Sequence, residues 1–195
     1  MGGGSADAAA VLRAANRIAG NPLDADALRG LAATLGSDVP SQIEPRHALV
    51  TGTGEIVEPI ELPSFGAVLV PQDEGLAAGA VYDRFDALGG GRDDLDPALV
   101  HELAEDMLLG PVLVNDLQPA ALALRPELAD VLDELRSVGA TGALVSGSGP
   151  TCFGLFPDRE AAAAAVEAAA TAAAAGAPGS VPALPQAIVA ELRSD

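Results

Sequence analysis

The chain contains no lysine, and its ten arginines face 28 acidic residues, for a formal net charge of −18 over 195 residues. A lysine-free chain cannot carry a Walker A loop, which needs Gly-Lys-Ser/Thr around its phosphate. So acidic a surface repels phosphate backbones and anionic lipid, which argues against nucleic-acid and membrane-surface binding. Any anionic ligand must then meet a local positive field made from helix N-termini, a metal ion or a few arginines. A single cysteine, Cys152, excludes an intrachain disulfide and suits a reducing cytoplasm. It stands in an apolar run, where a buried and inert thiol is expected rather than a nucleophile. His47 and His101 lie far apart with no Cys or His at ligand spacing, so no zinc site is expected. No signal peptide is visible, and the uncharged stretch 168–190 is broken as a bilayer span by Gly176, Pro178, Gly179, Pro182 and Pro185.

What is present is small and apolar. Hydrophobic residues make up 49% of the chain, ample for one large or two small cores. The chain opens on Gly2-Gly3-Gly4-Ser5-Ala6-Asp7, a loop without side-chain bulk at the mouth of a helix whose apolar face reads Ala8, Val11, Leu12, Ala15 and Ile18. Unpaired amides in a first helical turn, with the aligned peptide dipoles behind them, favour an anion there. The spacing fits equally an ordinary Ser or Asp N-cap after a glycine-rich terminus. A second glycine loop, Ser146-Gly147-Ser148-Gly149-Pro150-Thr151, joins two short apolar runs. It is no dinucleotide fingerprint, because Cys152 stands where that pattern starting at Gly147 needs glycine.

Between them the punctuation is clear. Gly20-Asn21-Pro22 stops the first helix, and Asp24 caps a second with Leu28, Leu31, Ala32 and Leu35 on one face, closed by Gly36. Asp38, in Ser37-Asp38-Val39-Pro40, has the bare form of a turn or cap residue. Two strands flank Gly52-Thr53-Gly54 within 47–60, and Leu62-Pro63-Ser64 marks a boundary. A strand at 67–70 and a helix at 77–88 follow, then a solvated loop at 89–94. Helices are expected at 97–107, 119–124 and 127–138, strands on both sides of the Gly147 loop, an alanine-rich helix at 158–175 and a last strand at 187–192. Leaving out the extra middle helices, the order is strand, helix, strand, strand, helix, strand, the ferredoxin-like split βαβ arrangement. Arg13 and Arg17, one turn apart, read as a solvated face.

Five segments, in order, resemble the GHMP small-molecule kinases: residues 2–9, Leu35-Gly36-Ser37-Asp38-Val39-Pro40, Thr51-Gly52-Thr53-Gly54-Glu55, Asn115-Asp116-Leu117-Gln118-Pro119, and residues 146–151. Gly-Gly-Ser-Ala-Asp-Ala is the form of the branch that phosphorylates the 2-hydroxyl of a cytidine-diphosphate-linked polyol in non-mevalonate isoprenoid synthesis. The resemblance implies an α+β GHMP kinase fold. An incomplete N-terminal ribosomal protein S5 domain 2-like part, the end of the ATP-binding domain at 1–62, would precede a ferredoxin-like C-terminal domain at 66–195. It implies ATP and Mg2+ as cofactors, with phosphates over Gly2, Gly3, Gly4, Ser5 and Ala6. Ser5 would lie near the metal, and Ser146, Gly147, Ser148 and Gly149 would close on the nucleotide. Asp38 becomes the catalytic aspartate, accepting or orienting the proton of the attacking hydroxyl. Asn115, Asp116 and Thr151 become candidate substrate contacts, with turn and cap roles the alternative for the first two.

Partners are then a small-molecule substrate and ATP, with no nucleic acid and no membrane, in the cytoplasm. Family members carry a segment before the ATP loop with a lysine that pairs with the aspartate. On that pattern Met1 is an internal methionine, 1–62 folds weakly, and the chain alone is not usefully active. Residues 41–46 depart from the family's apolar run and Gly-Gly pair, which bears on local site contacts. A GHMP kinase for another alcohol and a non-catalytic nucleotide-binding module stand as alternatives.

Overall fold

A computed structural model describes residues 2–91, 98, 113–175, 184 and 186–192. They form two compact units, divided between Leu62 and Pro63. The expected helix at 97–107 and the second half of the 89–94 loop lie outside the described residues, Ala98 excepted.

The first unit is a helical pair followed by a hairpin. Helix α1 spans Gly3–Ile18 and α2 spans Ala25–Ala33, whose N-cap Asp24 accepts a hydrogen bond from the Ala27 amide. A 3-10 turn, Pro40–Gln42, follows, then strands β1 (Ala48–Thr51) and β2 (Ile56–Pro59), paired antiparallel with Thr51 opposite Ile56. Its core is small: Ala9, Leu28, Ala32, Val39 and Ile43, with Ala8 and Leu12 packed against it.

Two expectations need correction here. The apolar stripe Val11, Ala15 and Ile18 does not face this core; Ile18 is 87% exposed and Val11 67%, while Ala9 is fully buried. On so alanine-rich a helix several stripes look equally apolar, and the one that packs is Ala8, Ala9 and Leu12, set by where Val39 and Ile43 lie. Arg13 is not merely solvated, because its guanidinium donates to the carbonyls of Gln42 (2.6 Å) and Ile43 (3.4 Å) and fastens the end of the 3-10 turn to α1. On α2, Leu31 and Leu35 are likewise exposed, and the helix ends at Ala33 with Thr34 as its C-cap, rather than on Gly36.

The second unit is built on a four-stranded sheet. Strands β3 (Phe65–Val70), β4 (Gly142–Val145), β5 (Cys152–Phe156) and β6 (Ile188–Leu192) lie in the order β4-β5-β3-β6, every neighbour antiparallel. With helices intervening after β3 and between β5 and β6, this is the ferredoxin-like order. Among the described residues its helices include α3 (Ala78–Ala87), α4 (Gln118–Leu124), α5 (Leu128–Ser137) and α6 (Arg159–Ala174). Alternation along β4 and β5 buries Ala143, Val145, Cys152 and Phe156 on one face. Leu128, Leu132 and Leu135 of α5 and Ala162, Ala165 and Ala169 of α6 join them in one core. The α6 alanines permit close approach, and Gly66 of β3 completes it: a Cβ there would run into the Asp158 carbonyl at the helix N-cap and lie 2.9 Å from the Arg159 amide. Burial pushes the Cys152 thiol up to about 11, which keeps it protonated. No described helix is long and apolar enough to cross a membrane.

Candidate functional site

Each unit carries candidate chemistry. In the first, Gly2 is the N-cap of α1 in the left-handed region (φ 63°), its carbonyl accepting the Ala6 amide at 3.0 Å. Gly3 and Gly4, expected in the loop, already lie in the helix. No side chain caps this end and no acid occupies its first turn, so the positive end of the peptide dipoles is uncompensated by the helix itself. The Ser5 hydroxyl makes no hydrogen bond among the described residues.

Asp38 sits in the turn before Pro40, exposed, with its main-chain carbonyl accepting from the Ser41 hydroxyl at 2.9 Å. Its carboxylate has no hydrogen-bond partner among the described residues. The turn is held from two sides. Val39 and Pro40 are buried, Val39 in the cluster that holds Ala8 and Ala9 of α1. From the other side comes the hairpin loop. Gly54 has φ +107°, and a Cβ on it would enter the Ser37 carbonyl, 2.6 Å from its carbon and 2.8 Å from the Ser37 Cα. Within the loop, the Glu55 carboxylate accepts from the Thr53 amide (2.7 Å) and hydroxyl (2.8 Å). Its own amide and these Thr53 donors hold that carboxyl below the usual glutamate range. Thus Thr51-Gly52-Thr53-Gly54-Glu55 braces the main chain one residue from Asp38, a role that sequence reasoning did not assign.

In the second unit the loop between β4 and β5 is closed by Ser146 N–H to Thr151 O and Gly149 N–H to Ser146 O, both 2.9 Å. Gly147 (φ 57°) and Gly149 (φ 83°) occupy the left-handed region, and the Gly149–Pro150 peptide is cis. The Gly147 and Ser148 amides have no acceptor among the described residues. Two consecutive amides left unpaired beside a left-handed residue form a concavity suited to an anion.

Asn115 takes a part that its local sequence conceals. Its Nδ2 donates to the carbonyls of Val145 and Gly147, both at 2.8 Å, while Oδ1 accepts the Leu117 amide at 3.1 Å. Both amide protons are therefore committed inside the protein, leaving one lone pair of Oδ1 for any ligand. Gln118 accepts the Val145 amide at 2.9 Å through Oε1, and Arg136 donates to the Ala143 carbonyl at 3.2 Å. Three side chains thus satisfy main-chain groups along the edge of β4 that pairs with no strand among the described residues. An open cavity of about 600 Å³ runs beside that edge, lined by Asn115, Gln118, Arg136, Asp116, Leu113 and Gly91 among others. Thr151 is half-buried at the end of the loop.

Comparison with known proteins gives consistent matches across the chain. The N-terminal domain pattern of GHMP kinases matches residues 1–44, and the C-terminal pattern matches residues 95–175. A 4-diphosphocytidyl-2-C-methyl-D-erythritol kinase from Thermobifida fusca is 47% identical over 157 residues, 78% of this chain and 51% of the relative. A crystal structure of a 4-(cytidine 5'-diphospho)-2C-methyl-D-erythritol kinase superposes with a TM-score of 0.77 at 32% identity, covering 100% of this chain and 66% of that one. A homoserine kinase from Cytophaga hutchinsonii shares the fold with a TM-score of 0.68 at 19% identity, covering 98% of this chain and 64% of that one. The chain spans about half the length of the curated relative it matches.

Proposed function

From the premise that this chain belongs to the GHMP kinase family, we propose that it carries the phosphate-gripping loops and catalytic aspartate of an ATP-dependent kinase. The acceptor is the 2-hydroxyl of 4-diphosphocytidyl-2-C-methyl-D-erythritol, the substrate named in its relatives. Residues 1–62 are read as the end of the ATP-binding domain and 66–195 as the C-terminal domain, working in the cytoplasm. The observation that carries this reading is the Gly147 loop, whose adjacent Gly147 and Ser148 amides are unpaired among the described residues.

The chemistry follows from charge. Transfer of a γ-phosphoryl group spreads negative charge over its oxygens, and catalysis consists mostly of positioning and of countering that charge. In a chain of net charge −18, uncharged main-chain donors achieve this without adding basic side chains. The α1 N-terminus, without an acid in its first turn, supplies a dipole of the needed sign at Gly2, Gly3, Gly4, Ser5 and Ala6. The Ser5 hydroxyl is a hard oxygen donor with no hydrogen bond among the described residues, which suits Mg2+. Ser5 would hold that ion, which supplies charge neutralisation on the transferred group when bound. Asp38, exposed on a braced turn, accepts or orients the proton of the acceptor hydroxyl.

The test is a coupled kinase assay on this chain fused to the remainder of the Thermobifida fusca relative. Asp38→Ala is expected to lower turnover at least about a hundredfold and to leave nucleotide affinity within about twofold. Turnover unchanged by Asp38→Ala would remove the aspartate from the mechanism. Turnover on another alcohol in preference to the cytidyl substrate would remove the substrate assignment.

A further inference from the structure

The unpaired amides of Gly147 and Ser148 matter only if the loop holds them in place, and its own two hydrogen bonds, Ser146 N–H to Thr151 O and Gly149 N–H to Ser146 O, leave the Gly147 carbonyl between them without a partner inside the loop. Gly147 is exposed, and both it and Gly149 have a conformational freedom that costs entropy to restrain. The Gly147 carbonyl is held instead by a residue 32 positions earlier in the chain, Asn115.

We propose that Asn115 is a positioning residue for phosphate binding: its carboxamide pins the Gly147 carbonyl inward, and thereby keeps the Gly147 and Ser148 amides turned out as a pair. This rests on the reading of that loop as the nucleotide's grip. The argument is geometric. One amide proton reaches Val145 O, the last residue of β4, and the other reaches Gly147 O, two residues on, each at 2.8 Å. A single planar group therefore spans the point where the strand ends and the loop begins. Gln118, on the first turn of α4, holds the same Val145 from its amide side at 2.9 Å. The carboxamide is itself oriented, because Oδ1 accepts the Leu117 amide at the start of α4 and Asn115 O accepts the Gln118 amide at 2.9 Å. Helix and loop are thus joined through one side chain, and the packed core beneath, with Val145, Ala120 and Ala121 buried, gives it a firm base.

Asparagine is needed because the site asks for two donors and one acceptor in one plane. Aspartate keeps the shape and the acceptor at the Leu117 amide, so the helix start survives, while it offers no donor to either carbonyl. Asn115→Asp therefore separates the loop link from the cap. It also adds a negative charge near a phosphate site, so Asn115→Ala is compared beside it.

The experiment uses the full chain. Hydrogen exchange at the Ser146, Gly149 and Leu117 amides is measured without ligand, and affinity for a non-hydrolysable ATP analogue with Mg2+ is then measured by titration. For Asn115→Asp, exchange at Ser146 and Gly149 is expected to rise at least about tenfold while Leu117 is unchanged, with analogue affinity falling about tenfold or more, the loss of one to two ordinary hydrogen bonds. Asn115→Ala should loosen all three amides and weaken binding without the added charge. Loop exchange within twofold of the parent in Asn115→Asp would overturn the positioning role. A loosened loop with undiminished analogue affinity in both variants would overturn its link to phosphate. A parent chain that does not bind the analogue would instead strike the proposed function, while the exchange result would still decide whether Asn115 holds the loop.

Discussion

Replacing Gly54 by alanine should disturb Asp38 without touching it. The added Cβ would enter the Ser37 carbonyl, with the carbonyl carbon at 2.6 Å and the Ser37 Cα at 2.8 Å. Restoring ordinary contact of about 3.5 Å requires the hairpin loop or the Ser37-Asp38 turn to move by roughly 1 Å. Backbone against backbone gives no flexible side chain to absorb that shift. The φ of +107° adds a second term, since L residues there cost about 1–3 kcal/mol. Forced overpacking costs about 1–3 kcal/mol more. The sum is about 2–6 kcal/mol, which even at its low end raises the equilibrium for local opening by roughly thirtyfold. The assay is native-state hydrogen exchange, read at the Val39 amide, bonded to Gly36 O at 3.2 Å, and the Ile43 amide, bonded to Pro40 O at 3.2 Å. Val68, buried in the second unit, serves as the internal control. Exchange at Val39 and Ile43 should rise about thirtyfold or more with Val68 unchanged. Rates within twofold of the parent at both positions would refute the claim that the hairpin braces the aspartate's turn.

The same loop has a pH signature. Because the Glu55 carboxyl is held below the ordinary range in the folded state, its contribution is complete above the unfolded value of about 4.3 and is lost as pH falls through the lower folded value. The Thr53 amide resonance should therefore report a transition below the ordinary glutamate range, and a Glu55 midpoint at or above the ordinary value would exclude the bonds from its amide and Thr53. In the cores, Leu135→Ala should cost about 2–5 kcal/mol in denaturant unfolding of the second unit, since Leu135 is fully buried. Ile18→Ser, on the exposed stripe of α1, should change the stability of this chain by less than about 0.5 kcal/mol; a cost above about 1 kcal/mol would restore that stripe to the core.

The order of elements was readable because its signals are local. Asp24 and Asp158 before apolar runs mark helix starts, and each accepts the amide three residues on, from Ala27 and Ala161. Alternation along 142–145 and 152–156 marks half-buried strands. Their order in the sheet followed from the βαββαβ pattern. What stayed hidden depends on partners far along the chain. The choice of α1 face was set by Val39 and Ile43, not by the helix's own pattern. Gly54 reads as a turn glycine, yet the surface that demands it is Ser37, seventeen residues earlier. Asn115 shows its cap to local reading, through Leu117, but not its bonds to Val145 and Gly147. The candidate residues were legible as motifs, while the side chains that hold them in position were not.

The central claim is that unpaired main-chain amides in this strongly acidic chain receive the phosphates of a nucleotide. Amide NMR during titration with a non-hydrolysable ATP analogue and Mg2+ tests it most directly. The account predicts saturable shifts led by the amides of Gly147 and Ser148. Saturable binding that leaves Gly147 and Ser148 unmoved and shifts amides elsewhere would contradict it.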